Sequence, residues 1–388
     1  MSAILGTYAR RSISFSHGKG CYLYSTNDEK YLDFVSGIAV NSLGHCHDHL
    51  VQTIKNQAEK LWHVSNAFEI PEQEKLAQRL VENTFADHVI FMNSGAEATE
   101  ASIKIARKYF FEKGKPEKNR IITFKGAFHG RTLASLFAAN NPEHIKGFGP
   151  TVDGFDQVDF GDHDALKKAI NKNTAAVMVE SILGEGGIKV IPEQCLVGLR
   201  KLCDENDLLL ILDEVQCGIG RSGKFFAFEW SGIKPDIVPI AKGIGGGFPI
   251  GACLVNQKAA SGMKPGTHGS TFGGNPLAMS IGNSVLDIIF EKGFLDNVVK
   301  QGNYLQSELI KIKERFPNIL EEVRGKGLLR GIKLKVDNVE FLNKLFENKM
   351  LAVKASENVI RLLPPLIISK QEVDEAISII EKVCQSFK

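Results

Sequence analysis

Two carboxylates end an apolar run: LLLILDEV, residues 208–215, closes on Asp213, Glu214 and Val215. A run this apolar reads as one strand covered on both faces, as in the interior of a parallel sheet. Ligands of open α/β sheets lie beyond the carboxyl ends of such strands. A second short apolar run, in PDIVPIAKG, ends in Lys242 and passes into GIGGGFP. A lysine amine at a strand end, beside glycines that allow close approach, can form an imine with an aldehyde. An aspartate nearby can hold a pyridine nitrogen protonated. Together they are the minimum equipment for pyridoxal 5'-phosphate (PLP). Taken singly, a carboxylate at a strand end is more often a solvated end or a helix cap, and a lysine before glycines a surface charge, so the surrounding elements must decide.

Those elements supply further candidates. HVIFMNSGAEATEASIKIARKYFFEKG, residues 88–114, reads as a short strand, then Asn93 and Ser94, then a helix opening with Gly95 and Ala96. Ser94 and Glu97 have capping-box spacing, and Ala98, Ala101, Ile105 and Tyr109 follow on one helical face. Bare amides at the positive end of a helix dipole suit a phosphate. RIITFKGAFHGRTLAS, residues 120–135, is strand, loop and helix, with Phe128 and His129 in the loop. An aromatic at a strand end can stack on a planar ring, and the planar fork of Arg131 can grip a carboxylate. TAAVMVESILGEGGIKVIP, residues 174–192, is a buried strand ending in Glu180, with Glu185 among the glycines beyond it. A helix at 194–207 then leads into the 208–215 strand, which makes a βαβ unit. HGSTFGGNPLAMS, residues 268–280, offers the hydroxyls of Ser270 and Thr271 in a small-residue loop opening a helix.

Two patterns are set aside. GIGRSGKF, residues 218–225, fits G-x-G-x-x-G and nearly fits a P-loop, but Phe225 stands where a magnesium-binding hydroxyl belongs, and the aromatic stretch that follows is not the long helix either motif requires. His45, Cys46, His47 and His49 in LGHCHDHL resemble metal ligands, yet no partner cluster occurs elsewhere. A loop entering a helix after Asp48 explains them, and no metal is expected.

The totals exclude several classes. At 388 residues the chain has room for about two or three domains. A net charge of +2 argues for neither nucleic acid nor an anionic membrane as partner. No apolar run approaches the ~20 residues of a bilayer span, and MSAILGTYARRSISFSHGKG has no apolar core of a signal peptide behind its Arg pair. Seven scattered cysteines without a C-x-x-C fit reduced thiols, so a cytoplasmic location is expected. Near residue 286 the character changes to long amphipathic helices and short strands. Arg361 lies in one of these strands before Pro364 and Pro365, and a final helix is capped by Ser369 with Glu372. The expected organisation is an α/β fold. A large domain, 46–285, holds a mostly parallel sheet flanked by helices; a smaller α+β domain, 286–388, is joined by the N-terminal segment, 1–45.

With these residues together, the sequence resembles the class III, or omega, aminotransferases of PLP fold type I. The resemblance spans nearly the whole chain, through GCYLYSTNDEKYLDFVSGIAVNSLGH, NSGAEATE, FHGRT, VESILGEGGI, LDEVQCGIGRSG, IAKGIGGGFPIGA, STFGGNP and IRLLPPL. These motifs in this order are highly specific. The compact length, GIAVNSLGH and DEVQCGIGRSG lean toward members that act on N2-acetylornithine with 2-oxoglutarate as acceptor. Relatives using succinylornithine, succinyldiaminopimelate, ornithine or 4-aminobutyrate are the alternatives, and a PLP aminomutase is a remoter one. The resemblance implies that Lys242 bonds the cofactor and then moves the substrate proton, that Asp213 holds the pyridinium, and that Gln216 touches the ring hydroxyl. It places Val215 and Phe128 on opposite faces of the ring. Gly95 and Ala96 would take the phosphate, with Thr271 contributed by a partner subunit of a homodimer. Arg131 and Ser270 would contact the acylated amino acid, and Arg361 the other carboxylate with Glu185 as its counter-ion. Two departures are small: Thr99 replaces the more usual Asn in NSGAEATE, and SILGEGG stands where PIQGEGG is common.

Overall fold

The structure is a computed structural model and describes residues 3–387. Its centre is a seven-stranded sheet of β1 (His88–Met92), β2 (Arg120–Phe124), β3 (Phe155–Val158), β4 (Thr174–Glu180), β5 (Leu209–Asp213), β6 (Ile237–Ile240) and β7 (Gly251–Val255). The spatial order is β1-β7-β6-β5-β4-β2-β3, so β5 is the middle strand. Neighbours are parallel from β6 through β3, and only β7 runs antiparallel to both of its neighbours. Every residue of β4 and β5 is buried, as their unbroken apolar sequence requires. Their register sets Leu209 beside Ala176 and ends with Asp213 beside Glu180. Two acids therefore finish side by side at the carboxyl edge of the sheet.

Alternate side chains of these strands feed two cores. Ile121, Met178, Leu209 and Ile211 pack with Ala101, Ile105 and Tyr109 of the helix Gly95–Glu112 on one face. Ile122, Val177, Val179, Leu210 and Leu212 pack on the other. This is the period-2 rule of a pleated strand applied to strands wet on neither side. Helices α1 (Asp48–Ala58), α2 (Pro71–Asn83), α3 (Gly95–Glu112), α4 (His163–Ala169), α5 (Glu193–Glu205) and α6 (Pro276–Ile289) belong to this region. Truncating a core side chain such as Ile211 to alanine would cost about 2–5 kcal/mol.

The C-terminal part has a core of its own. Strands Leu320–Lys326, Leu329–Leu334, Val359–Leu362 and Val353–Ala355 form an antiparallel sheet. Helices α7 (Phe294–Arg315) and α8 (Lys370–Gln385) lie on it, with Leu305, Leu309, Ile332, Ile360 and Ile380 in one cluster. The N-terminal strands Phe15–Lys19, Tyr22–Ser25 and Lys30–Asp33 pair with each other, and Lys30–Asp33 also takes Met350–Leu351 as a parallel neighbour. The two ends of the chain thus meet. Helix α6 runs through the expected 285/286 boundary to Ile289, and the turn into α7 falls at 290–293, where Gly293 has φ 87°. No helix among the described residues is long and apolar enough to cross a membrane.

Candidate active site

Beyond the carboxyl ends of β4 and β5 lies a cavity of about 380 Å³, lined by Lys242, Asp213, Glu180, Phe128, Val215 and Gln216, with Asn93, Ser94, Gly95 and Ala96 along one wall. Residues far apart in sequence converge there because parallel strands deliver all their C-termini to one edge.

Lys242 follows β6 and opens a short 3-10 turn, Lys242–Gly245. Its φ is +49°, a left-handed conformation that is uncommon for a side-chain-bearing residue and clusters at functional sites. Burial, and then the charge of Arg361, lowers its amine pKa to about 8, against the pull of Glu180 and Asp213. Among the described residues the amine has no hydrogen-bond or ion-pair partner.

Asp213 is 2% exposed. Its Oδ1 accepts the Val215 N–H at 3.0 Å, and its Oδ2 accepts Nδ1–H of His129 at 2.8 Å. Nε2 of that imidazole is buried without a partner. The neighbouring Glu180 accepts the N–H of Phe128 at 2.9 Å and of Gly184 at 3.1 Å. Burial first, and then Asp213, raises its pKa. It therefore joins the Phe128 loop to the loop carrying Glu185. Glu214 turns away from the cavity. It accepts from Ser181 Oγ at 2.5 Å and from the N–H groups of Ala227 and Phe228, and burial raises its pKa to about 7. Of the two acids ending the run, one faces the site and the other pins the turn that presents Val215 and Gln216.

Arg361, 1% exposed, belongs to the C-terminal sheet; neither it nor Glu185 lines the cavity, which it meets through Gln216. Its Nη2 donates to Glu185 Oε1 at 2.7 Å and to the Lys354 carbonyl at 3.2 Å, and its Nη1 donates to Gln216 Oε1 at 3.2 Å. Arg131 is exposed, 3.1 Å from His144 and 5.5 Å above the Phe128 ring. Ser270 accepts from Asn93 Nδ2 at 3.3 Å and from the Gly273 N–H at 3.0 Å. Thr271 is exposed, and neither it nor Ser270 lines the cavity within this chain. The expected box at Ser94 is half made. Ser94 Oγ accepts the Glu97 N–H, but the Glu97 carboxylate takes the Asn93 N–H at 2.6 Å instead of that of Ser94. Thr99 is fully buried with its hydroxyl unpartnered.

The PLP expectation can be tested on the walls. A methyl group at Gly95 would stand 2.7 Å from Val215 Cγ1, so only glycine leaves a helix N-terminus open at this depth. One at Gly130 would meet Ala96 Cβ at 3.0 Å. The cavity pairs bare amides at the start of α3 with a buried aspartate, two apolar walls at Phe128 and Val215, and a free amine. That donor set fits a phosphorylated pyridine aldehyde.

Two features had weak sequence signals. His129 stood in view in the loop, but nothing local linked it to a carboxylate 84 residues away. Residues Ser36, Gly37, Ile38 and Ala39 have successive φ values of 49°, 65°, 63° and 63°. Left-handed turns this long are rare because each L-residue costs about 1–2 kcal/mol there. Asp33 holds it: Oδ1 accepts the N–H of Val35 and Ser36, and Oδ2 accepts from His45 at 2.7 Å. The turn delivers Val40 to the cavity, and Ser42 Oγ donates to the Gly243 carbonyl at 2.8 Å. The GIGRSG segment is a turn docked on the C-terminal part, with buried Arg221 donating to the carbonyls of Pro364 and Leu328. Among the described residues no three His, Cys, Asp or Glu side chains are placed to hold a metal ion.

The chain matches the family model for aminotransferase class III over residues 7–384. It is 55% identical over 383 residues to the acetylornithine aminotransferase of Agrobacterium fabrum, covering 99% of this chain and 96% of that one. Its structure is similar to the crystal structure of N-acetylornithine aminotransferase from Stenotrophomonas maltophilia, with a TM-score of 0.86, 36% identity and coverage of 98% and 97%. It is also similar to an ornithine aminotransferase structure from Toxoplasma gondii described as having PLP at partial occupancy in the active site, with a TM-score of 0.94, 33% identity and coverage of 99% and 92%.

Proposed function

The chain belongs to the class III aminotransferases, PLP-dependent transaminases, and from that premise we propose that it moves the terminal amino group of N2-acetylornithine to 2-oxoglutarate. The observation that carries the substrate assignment is the 55% identity, over almost the full length of both chains, to an enzyme of that name.

PLP, when bound, acts as the electron sink that lets the substrate carbon release its proton. The Gly95 and Ala96 amides would take its phosphate, Phe128 and Val215 would flank its ring, and Asp213, steadied by His129, would keep a proton on the ring nitrogen. Lys242 Nζ would hold the cofactor and would be the base that takes the proton from the substrate carbon. Its depressed pKa leaves a large share of the amine unprotonated near pH 8, the state a base requires.

Two carboxylate sites divide the substrates. Arg131 and Ser270 would receive the acylated amino acid. Arg361 would receive the distal carboxylate of 2-oxoglutarate or glutamate. The Glu185–Arg361 ion pair supports a switch: Glu185 neutralises the guanidinium while the ω-amino substrate is bound and swings away for the dicarboxylate. A homodimer, with Thr271 of the partner subunit completing the phosphate site, is supported by the exposed apolar side chains of Trp62, Phe68 and Phe272 beside that loop.

The test is a half-reaction screen of the holoenzyme, following near-visible absorbance. Acetylornithine should bleach it faster than succinylornithine, succinyldiaminopimelate, ornithine or 4-aminobutyrate. A different fastest donor replaces the substrate but keeps the family chemistry; no bleaching by any donor, with borohydride also without effect, removes the reading.

A further inference from the structure

A second cavity, about 480 Å³, opens between α4 and α5 on the face of the sheet carrying Phe124 and Val179. It is larger than the active cavity and shares no lining residue with it. Its depth is apolar, walled by Phe124, Phe160, Leu166, Val179 and Leu199. Gly198 lies inside α5 and lines it, and a methyl group there would meet nothing within 4 Å. Glycine weakens a helix interior relative to alanine, and no close approach demands it at this position. Its effect is to leave one wall of the cavity open.

The mouth carries two lysines, Lys167 and Lys201, two acids and His163. Its two acids are engaged: Asp162 caps α4 by accepting the Ala165 N–H at 2.8 Å, and Glu205 lies 3.7 Å from Lys201. Lys167 has no ion-pair or hydrogen-bond partner among the described residues. His163 precedes it by one helical turn, with Nε2 4.0 Å from Cys195 Sγ in the first turn of α5. An ammonium without a partner one helical turn from an imidazole offers donors to a negative group, and the walls favour a hydrocarbon.

We infer that this cavity binds a small amphipathic monocarboxylate of the medium-chain aliphatic class. Its tail lies against Phe124, Val179 and Leu199, and its head group sits at Lys167 and His163. The assignment is independent of the transaminase reading. Cys195 at the mouth serves as its reporter, since it is half-buried while Cys46 is exposed and the other five cysteines are buried.

The experiment uses the holoenzyme carrying Cys46→Ser and follows maleimide labelling of Cys195 by mass spectrometry. Octanoate below its micellar concentration should slow labelling at least fivefold and saturably, and 1-octanol at the same concentration should slow it less than twofold. Lys167→Glu should raise the half-effective octanoate concentration about tenfold. Gly198→Leu should abolish protection, and Gly198→Ala, which meets no neighbour, should fold and transaminate normally while protecting less well. Unchanged labelling with octanoate overturns the site. Equal protection by octanol overturns the carboxylate class, and protection that survives in a folded Gly198→Leu enzyme overturns the location.

Discussion

The two ends of the central sheet use the same residue to opposite purpose. At the amino end, Asp236 before β6 accepts from Arg200 Nη1 at 2.7 Å, from the Leu210 N–H at 2.8 Å and from Asn256 Nδ2 at 2.8 Å. Both its oxygens are occupied by the chain itself. At the carboxyl end, Asp213 is equally buried but faces a cavity, held only by its own turn and by His129. The same contrast separates two arginines on adjacent strands. Arg330 donates to the carbonyls of Gly302 and Gly325, which cannot move away. Arg361 is held chiefly by the side chains of Glu185 and Gln216, which can. A buried polar group saturated by backbone fixes the fold; one that opens on space or on exchangeable side chains is available for chemistry.

The strongest way to break that contrast is at the amine. Lys242→Ala should lower kcat by at least ~10⁴-fold if, as proposed, one group serves both as nucleophile and as base, with far-UV circular dichroism unchanged. Retention of more than about 1% activity would sink the assignment. The paired aspartates sharpen it further. Asp213→Asn should lower kcat by about 10²–10⁴-fold with little change in urea midpoint. Asp236→Asn should do the reverse, costing about 1–3 kcal/mol because Arg200, the Leu210 N–H and Asn256 lose a buried charged acceptor while Arg200 keeps Asp204, and kcat/KM of the folded fraction stays near wild type. Equal losses of activity from both would erase the distinction between the two ends.

Proton linkage gives a third test, smaller in size. The Lys242 amine has a folded pKa of about 8, below the 10.5 of the free side chain. Between those values the unfolded chain holds the proton and the folded chain does not, so stability rises with pH. The destabilisation is full below pH 8 and fades as pH climbs toward 10.5. The thermal midpoint of cofactor-stripped wild type should therefore gain on that of Lys242→Met over this window. About 3 kcal/mol is an upper bound, reduced by water in the open cavity. A constant difference across the window would refute the shift. Glu185→Gln should move the ratio of kcat/KM between the two half-reactions about tenfold toward the dicarboxylate, or about 1.4 kcal/mol, since Arg361 would lose its competing anion. The smallest effect lies farthest from the site. At α8, Ser369 accepts the Glu372 N–H and Glu372 accepts that of Ser369. Ser369→Ala should cost about 1 kcal/mol and leave every rate unchanged.

Much of this was readable along the chain because it is local. Unbroken apolar runs in TAAVMVE and LLLILD dictate strands buried on both faces, and the residue after each run lands at the sheet's edge whatever the rest does. The Ser369 cap, the helix after Gly95 and the strand-helix-strand unit follow from spacings of a few residues. Neither the bond from His129 to Asp213 nor the parting of Glu214 from Asp213 was readable in this way. The first joins residues 84 apart, and the second depends on which side of one turn offers the Ser181 hydroxyl and two free N–H groups. The left-handed turn at 36–39 lies beyond local propensity altogether. Ile38 is β-branched and resists that conformation, and it is held there by the Asp33 carboxylate and by docking on the Lys242 loop. Short-range sterics and periodicity are properties of the covalent chain and can be read from it. Which polar group meets which, and which is left unpaired, is a property of distances that exist only once the chain has packed.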